Sequence, residues 1–166
     1  MSPRAVLALL LTLAGCRGQP SAARGAPTQE ARGFSMTRSQ RGAVEWRLDS
    51  ARATLDETST RAALEQPRVE LFQNGRKATT ARARQGELEL ASQDMRLAGA
   101  VVVESLAEGS RLATEELRYS AKSKEFHTDR PVEIRRPGGV MRGRGLTASH
   151  DLSVIRVRGQ ETRVEP

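Results

Sequence analysis

Apolar and polar residues alternate through most of the chain beyond residue 43, and that period of two constrains its fold more than any other feature. Val44-Glu45-Trp46-Arg47-Leu48, Val69-Glu70-Leu71 and Leu88-Glu89-Leu90 each place every second side chain on one face. The pattern continues through Leu117-Arg118-Tyr119, Val132-Glu133-Ile134 and Ile155-Arg156-Val157, while Val101-Val102-Val103 is a β-branched run. Turn-prone Asn74-Gly75, Glu108-Gly109 and Pro137-Gly138-Gly139 separate these segments. No stretch sustains a helical period. Residues 50–65 pass for a helix on propensity, but Ala51, Ala53 and Leu55 alternate and every flanking segment is strand-like, so they read as strand. The expectation is an all-β domain whose antiparallel sheets each bury one face.

The positions facing inward under this pattern are Trp46, Leu48, Val69, Leu71, Leu88, Leu90, Val101, Val103, Leu117, Tyr119, Phe126, Val132 and Ile134. They are core residues first, and candidate lining for a ligand second. Large aromatics are few (one Trp, one Tyr and three Phe), so the core is either thin or incompletely filled. An under-filled channel between two sheets would suit an acyl chain. With a single cysteine no intrachain disulfide can staple the fold, and stability must come from burial and backbone pairing.

That cysteine, Cys16, closes the run Leu13-Ala14-Gly15-Cys16 behind an apolar stretch, Ala5 to Leu13, with Arg4 ahead of it. The stretch is too short to span a bilayer, which takes about 20 apolar residues. Its layout resembles bacterial lipoprotein signal peptides, which implies removal of residues 1–15 and a lipid anchor on Cys16, placing the mature protein outside the cytoplasm on a membrane. Residues 17–42 are rich in Gly, Pro, Ser, Ala and Arg, with only Phe34 and Met36 as sizeable apolar groups. They read, with Cys16, as a flexible tether, and residues 43–166 as one domain.

A weak repeat runs under this order: Val69, Val101, Val132 and Val164 recur at a spacing of 31 or 32 residues, near Pro67, Gly99 and Pro131. Lys and Arg number 27 against 20 Asp and Glu, a formal net charge of +7. A basic balance suits phosphate-bearing partners. Behind such a signal no nucleic acid is expected, and the scattered charges read mainly as solvated faces. Nothing in the chain builds an enzyme. His127 and His150 are the only histidines, and His127 with Asp129 supplies two metal ligands at most, so no metal or cofactor is expected. Ser149-His150-Asp151 are neighbours in sequence and cannot line up as nucleophile, base and orienter; they read as a turn. Gly138-Gly139 and Gly143-Arg144-Gly145 lack the Lys-Ser/Thr and helix of a phosphate-binding loop. Arg135, Arg136, Arg142 and Arg144 around them are hairpin arginines that would suit lipid phosphates at a slot mouth.

The stretch Leu112-Ala113-Thr114-Glu115-Glu116-Leu117-Arg118-Tyr119, then Phe126-His127-Thr128-Asp129-Arg130-Pro131-Val132-Glu133-Ile134, then Gly143-Arg144-Gly145-Leu146, resembles the C-terminal half of the LptC family. Trp46-Arg47-Leu48 with Ala51, and Leu97-Ala98-Gly99-Ala100-Val101-Val102-Val103, resemble the family's earlier strands, so the likeness covers residues 44–160. It implies a twisted β-jelly roll of two antiparallel sheets, OstA/LptA-like, whose slot shelters the lipid A part of lipopolysaccharide. The inward residues named above would be the lipid-binding ones. It also implies sheet edges, with Gly143 and Gly145 at one of them, that pair with the permeases of an inner-membrane ABC transporter and with an LptA-like periplasmic protein. The expected role is a membrane-tethered carrier on the periplasmic face of the inner membrane; the alternative is an envelope scaffolding lipoprotein that binds no lipid and recruits partners by its edges. Many family members begin with a membrane-spanning helix where this chain has Cys16. Arg17, in place of aspartate after the cysteine, leaves both membranes open to the anchor, and the inner one follows from the family role alone.

Overall fold

The computed structural model describes residues 28–56, 60–159 and 161–163. Cys16, the signal segment, residues 17–27 and Val164 lie outside the described residues. The strands are β1 (Thr28–Gln40), β2 (Ala43–Asp56), β3 (Arg61–Glu65), β4 (Arg68–Gln73), β5 (Arg76–Arg82) and β6 (Gln85–Glu89). They continue with β7 (Met95–Ser105), β8 (Arg111–Ser120), β9 (Glu125–Arg136), β10 (Gly139–Ser149), β11 (Ile155–Val157) and β12 (Glu161–Arg163). No described segment is helical, as the period of two predicts.

Three pairs of these strands continue one another. β2 holds one register against both β4 and β3, with Leu48 opposite Val69 and Arg52 opposite Glu65. β3–β4 does the same against β6–β5, and β10 against β11–β12. The twelve strands therefore make nine antiparallel passes, each paired only with its neighbours in sequence. Tight turns join them. Asn74 and Gly75 both take positive φ, 52° and 74°, as a two-residue hairpin between twisted strands requires.

A crease crosses the whole meander. The ladder is interrupted at Ala98/Val101 in β7, between Thr114 and Arg118 in β8 and between Arg144 and Leu146 in β10. The breaks between β3 and β4 and between β5 and β6 fall on the same line, where Gln66 N donates to Arg84 O at 2.8 Å and Arg84 N to Gly99 O at 2.9 Å. Gln66, Gly99 and Ala100 sit at positive φ on this line, and Ser50 Oγ staples it by donating to the carbonyls of Arg52 and Glu65 at 2.6 and 2.7 Å. Bulges bend a sheet and increase its twist. Here they fold one continuous sheet into two facing layers, a twisted β-jelly roll, and the buried residues of both halves form a single hydrophobic cluster. The two antiparallel sheets expected from the sequence are the two halves of this meander.

The crease also accounts for the repeat. Pro67, Gly99 and Pro131 lie on it or beside it, and Val69, Val101 and Val132 are the buried residues that follow it in every second pass, so the spacing measures one hairpin out and back.

One boundary moves. The expected tether runs to residue 42, yet strand begins at Thr28, and β1 pairs with β2 from Thr28 opposite Asp56 to Gln40 opposite Ala43. β1 is an edge strand lying largely in solvent, with only Phe34 and Met36 packed on the core, so the apolar alternation that marks the other passes is nearly silent in it. In residues 50–65 the strand reading holds over 50–56 and 61–65, with a bend at Thr60. Ala53 and Leu55 face inward while Ala51 is exposed, because the pleat changes phase at the crease.

Candidate lipid-binding interior and sheet edges

The inward positions read from the alternation converge. Trp46, Leu48, Val69, Leu71, Leu88, Val101, Val103, Leu117, Tyr119, Phe126, Val132 and Ile134 are all buried, none exposing more than 6% of its surface. Leu90 packs part-buried against the same cluster. Met95, Leu97, Leu112, Leu146, Leu152 and Leu64 complete it, together with Ala53, Ala62, Ala81 and Ala148. The first four of those large residues were legible in principle, since Met95-Arg96-Leu97, Leu112-Ala113-Thr114 and Leu146-Thr147-Ala148 alternate as well. In this state the side chains of the two layers fill the space between them.

Polar groups in the interior mostly have partners. Thr79 Oγ1 donates to His150 O at 2.7 Å and Thr114 Oγ1 to Pro131 O at 2.9 Å. The Tyr119 ring stacks at a tilt on Phe126, centroids 5.5 Å apart, and burial, with the Glu45 carboxylate adding to it, pushes its hydroxyl up to a pKa of about 12, so it stays a neutral phenol. Trp46 differs. Its ring is fully buried, and Nε1 has no hydrogen-bond acceptor among the described residues. A buried donor left without a partner costs about 1–3 kcal/mol.

The two edges of the meander are unlike. β1 pairs with β2 alone among the described strands. At the far end β10 is covered by the short last pass of the chain: Leu146 and Ala148 pair with Val157 and Ile155, Val140 with Arg163, and Arg144 N donates to Arg158 O at 3.0 Å. Gly143 and Gly145 are what let that pass lie so close. A Cβ on Gly143 would collide with Val157 Cγ1 and stand 3.1 Å from the carbonyls of Arg158 and Gly159. One on Gly145, whose φ is +80°, would meet the Arg158 guanidinium at 2.8 Å. These glycines, expected at a partner interface, therefore face the chain's own C-terminal pass.

Three of the four hairpin arginines are held by their own chain. Arg135 and Arg142 both donate to Glu133, at 2.8 and 2.9 Å, and these hydrogen bonds, Arg142's first, keep the Glu133 carboxyl below its usual range. Arg136 donates to Leu152 O at 3.2 Å. His127 Nδ1 lies 3.2 Å from Thr147 Oγ1, and Asp129 pairs with Arg158, so each is engaged with another partner. Ser149 Oγ donates to Asp151 Oδ1 at 2.5 Å, as do the backbone and hydroxyl of Ser153 at 3.1 and 2.8 Å. This is the turn expected there. His150, inserted beside it, is held below its usual pKa by burial, and it hydrogen-bonds through its backbone to Lys124.

Comparison with solved structures places the same architecture elsewhere. The fold matches LptH of Pseudomonas aeruginosa, described as the LptA-homologous periplasmic component of the conserved lipopolysaccharide transport device, with a TM-score of 0.55. The match covers 86% of this chain and 98% of that one at 10% sequence identity, a likeness of fold. No curated protein matches the sequence. The family profile for lipopolysaccharide assembly, LptC-related, matches residues 6–164. With nearly the whole chain inside that match and an LptA-like jelly roll built from it, the protein belongs to the LptC-related family of lipopolysaccharide-assembly proteins.

Proposed function

We propose that this protein is a lipid-anchored periplasmic carrier that accepts lipopolysaccharide from the permeases of an inner-membrane ABC transporter and passes it to an LptA-like bridge. Family membership supports the role in lipopolysaccharide transport and the periplasmic setting. The observation that carries the carrier role is the interior: an apolar cluster from two layers joined by a crease, containing one buried donor, Trp46 Nε1, that lacks an acceptor. The ester or amide carbonyl of an acylated glucosamine would supply one. Each methylene taken from water contributes about 0.8 kcal/mol, so a few acyl chains offset the cost of parting the layers. The chain needs no catalysis for this; the transporter supplies the energy. The outer edge of β1 over residues 30–40 suits strand addition by a neighbouring jelly roll, and the Cys16 anchor keeps the domain at the membrane.

Photo-crosslinking from probes at Val103 and Tyr119 to lipopolysaccharide tests it. Val101→Arg and Ile134→Arg each put a guanidinium among acyl chains at a desolvation cost of several kcal/mol, and lipid capture should fail. Glu133→Lys, on the outer face, should leave it intact. Variants are compared after their thermal transitions are shown to be native-like. Equal crosslinking in a folded Val101→Arg protein would mean that these residues only fill a core, and would favour the scaffolding alternative.

A further inference from the structure

On the outer face of β7 to β11, opposite the greasy interior, three arginines, a histidine and a threonine stand in one cross-strand row, with Glu87 on β6 across from its first member, Arg96. Arg96 on β7 faces Arg118 on β8, Arg118 faces His127 on β9, His127 faces Thr147 on β10, and Thr147 faces Arg156 on β11. Like charges directly opposite on neighbouring strands, about 5 Å apart, destabilise a sheet. Arg96 and Arg118 are such a pair; Arg68 with Arg82 and Arg111 with Arg135 are others, but Arg96 and Arg118 stand together at the wall of a cleft.

The row opens into a cleft of about 410 Å³, lined by Arg96, Arg118, Arg130 and Arg158 together with His127 and Thr147. Two carboxylates, Glu116 and Asp129, answer four guanidiniums. Glu116 is shared three ways. Arg96 takes it in a fork, Nε and Nη2 each at 3.1 Å, while Arg118 reaches it only at 3.5 Å and Arg130 at 3.8 Å. The Arg96 hydrogen bond, then the fields of Arg96, Arg118 and Arg130, hold that carboxyl below its usual range, so it stays ionised and saturated. Arg118 and Arg130 keep most of their N–H donors turned to solvent, with side chains 67% and 57% exposed. Arg158 reaches the cleft over Gly145, where any side chain would displace its guanidinium.

We infer that this cleft binds a phosphate monoester. The surplus of two positive charges matches the charge of about −1.5 to −2 that such a group carries at pH 7. A tetrahedral oxyanion can take forked donors from Arg118 and Arg130 at once, the geometry for which guanidinium is suited. The site lies on the solvent face, so it stands independently of lipid in the interior. The phosphate has two possible sources, a soluble sugar phosphate or the headgroup of a lipid, and they share one chemistry.

The test is a titration of the full chain in detergent with glucose 1-phosphate, followed by heat and by the arginine Nε–H resonances. Saturable binding is expected, with the Arg118 and Arg130 resonances shifting. Arg118→Gln and Arg130→Gln should each weaken it by about fivefold or more, and Arg111→Gln, paired with Glu104 away from the cleft, should not. Phosphatidic acid doped into the micelles distinguishes the sources: shifts of the same resonances assign a lipid headgroup, and shifts with the sugar phosphate alone assign a soluble ligand. No saturation below about 10 mM, or equal weakening by Arg111→Gln in folded protein, would overturn the site. Either failure leaves the crosslinking test of the interior untouched.

Discussion

Asp151→Ala probes what holds the last pass of the chain against β10. The carboxylate sits in the reversal between β10 and β11; burial works against its charge, but the donors of Ser149 and Ser153 and the field of His150 outweigh burial and bring its pKa from 3.8 to about 2. The difference, 3.8 less about 2, at about 1.36 kcal/mol per unit sets a ceiling of about 2.5 kcal/mol. Asp151 is part-exposed, and solvent screening brings the expected loss to about 1–2 kcal/mol. Because the folded-state pKa is the lower one, this contribution is complete above about pH 4 and disappears as the pH falls through about 2. Trp46, the only tryptophan and fully buried, reports urea unfolding by its fluorescence. The gap between wild type and Asp151→Ala should be full at pH 7 and close between pH 4 and pH 2. A gap of the same size at both ends would show that the carboxylate's charge is not its source, and no gap at pH 7 would refute the hydrogen-bonded turn as an anchor.

Gly143→Ala should cost about 1–3 kcal/mol by driving a methyl into Val157, and Gly143→Ala with Val157→Ala should recover most of it in the same unfolding assay. Ala100→Gly, which relieves a φ of 50° at the crease, should stabilise by about 0.5–1 kcal/mol, visible as a raised thermal midpoint. Cys16→Ser should abolish palmitate labelling and release the domain from the membrane fraction; label retained on the serine variant would remove the lipid anchor from the proposal.

Strands and core were legible because burial and the pleat write the same period into the sequence. Wherever a pass is covered on one face, as at Leu117 and Tyr119 or Val132 and Ile134, alternation marks it. β1 escaped because an exposed edge strand needs no apolar face; its order comes from the backbone ladder to β2, which any composition can make. The role of Gly143 was half legible. Its lack of a side chain marked close approach, but whether a partner or the chain's own tail approaches depends on where residues 155–159 return, and only the turn at Asp151 decides that. The outer arginine cleft was hidden because Arg96, Arg118, Arg130 and Arg158 are scattered along the sequence, on passes whose mutual register no local pattern reveals; the hairpin arginines near Gly138 were visible only because they cluster in sequence, and two of them, Arg135 and Arg142, serve Glu133.

The nine-pass meander has a kinetic consequence. Every strand pairs with the pass before or after it, so each ladder closes only a short loop, and the sheet can lengthen one hairpin at a time with little entropy lost per step. Burial follows another schedule. Trp46 and Leu48 lie in the second pass and Val132 and Ile134 in the seventh, yet all share one cluster, so the core cannot form until most passes exist and the crease has bent. Hydrogen bonding should therefore run ahead of tryptophan burial during refolding. The delay between them would measure how long a flat, open sheet survives before its two halves close on each other.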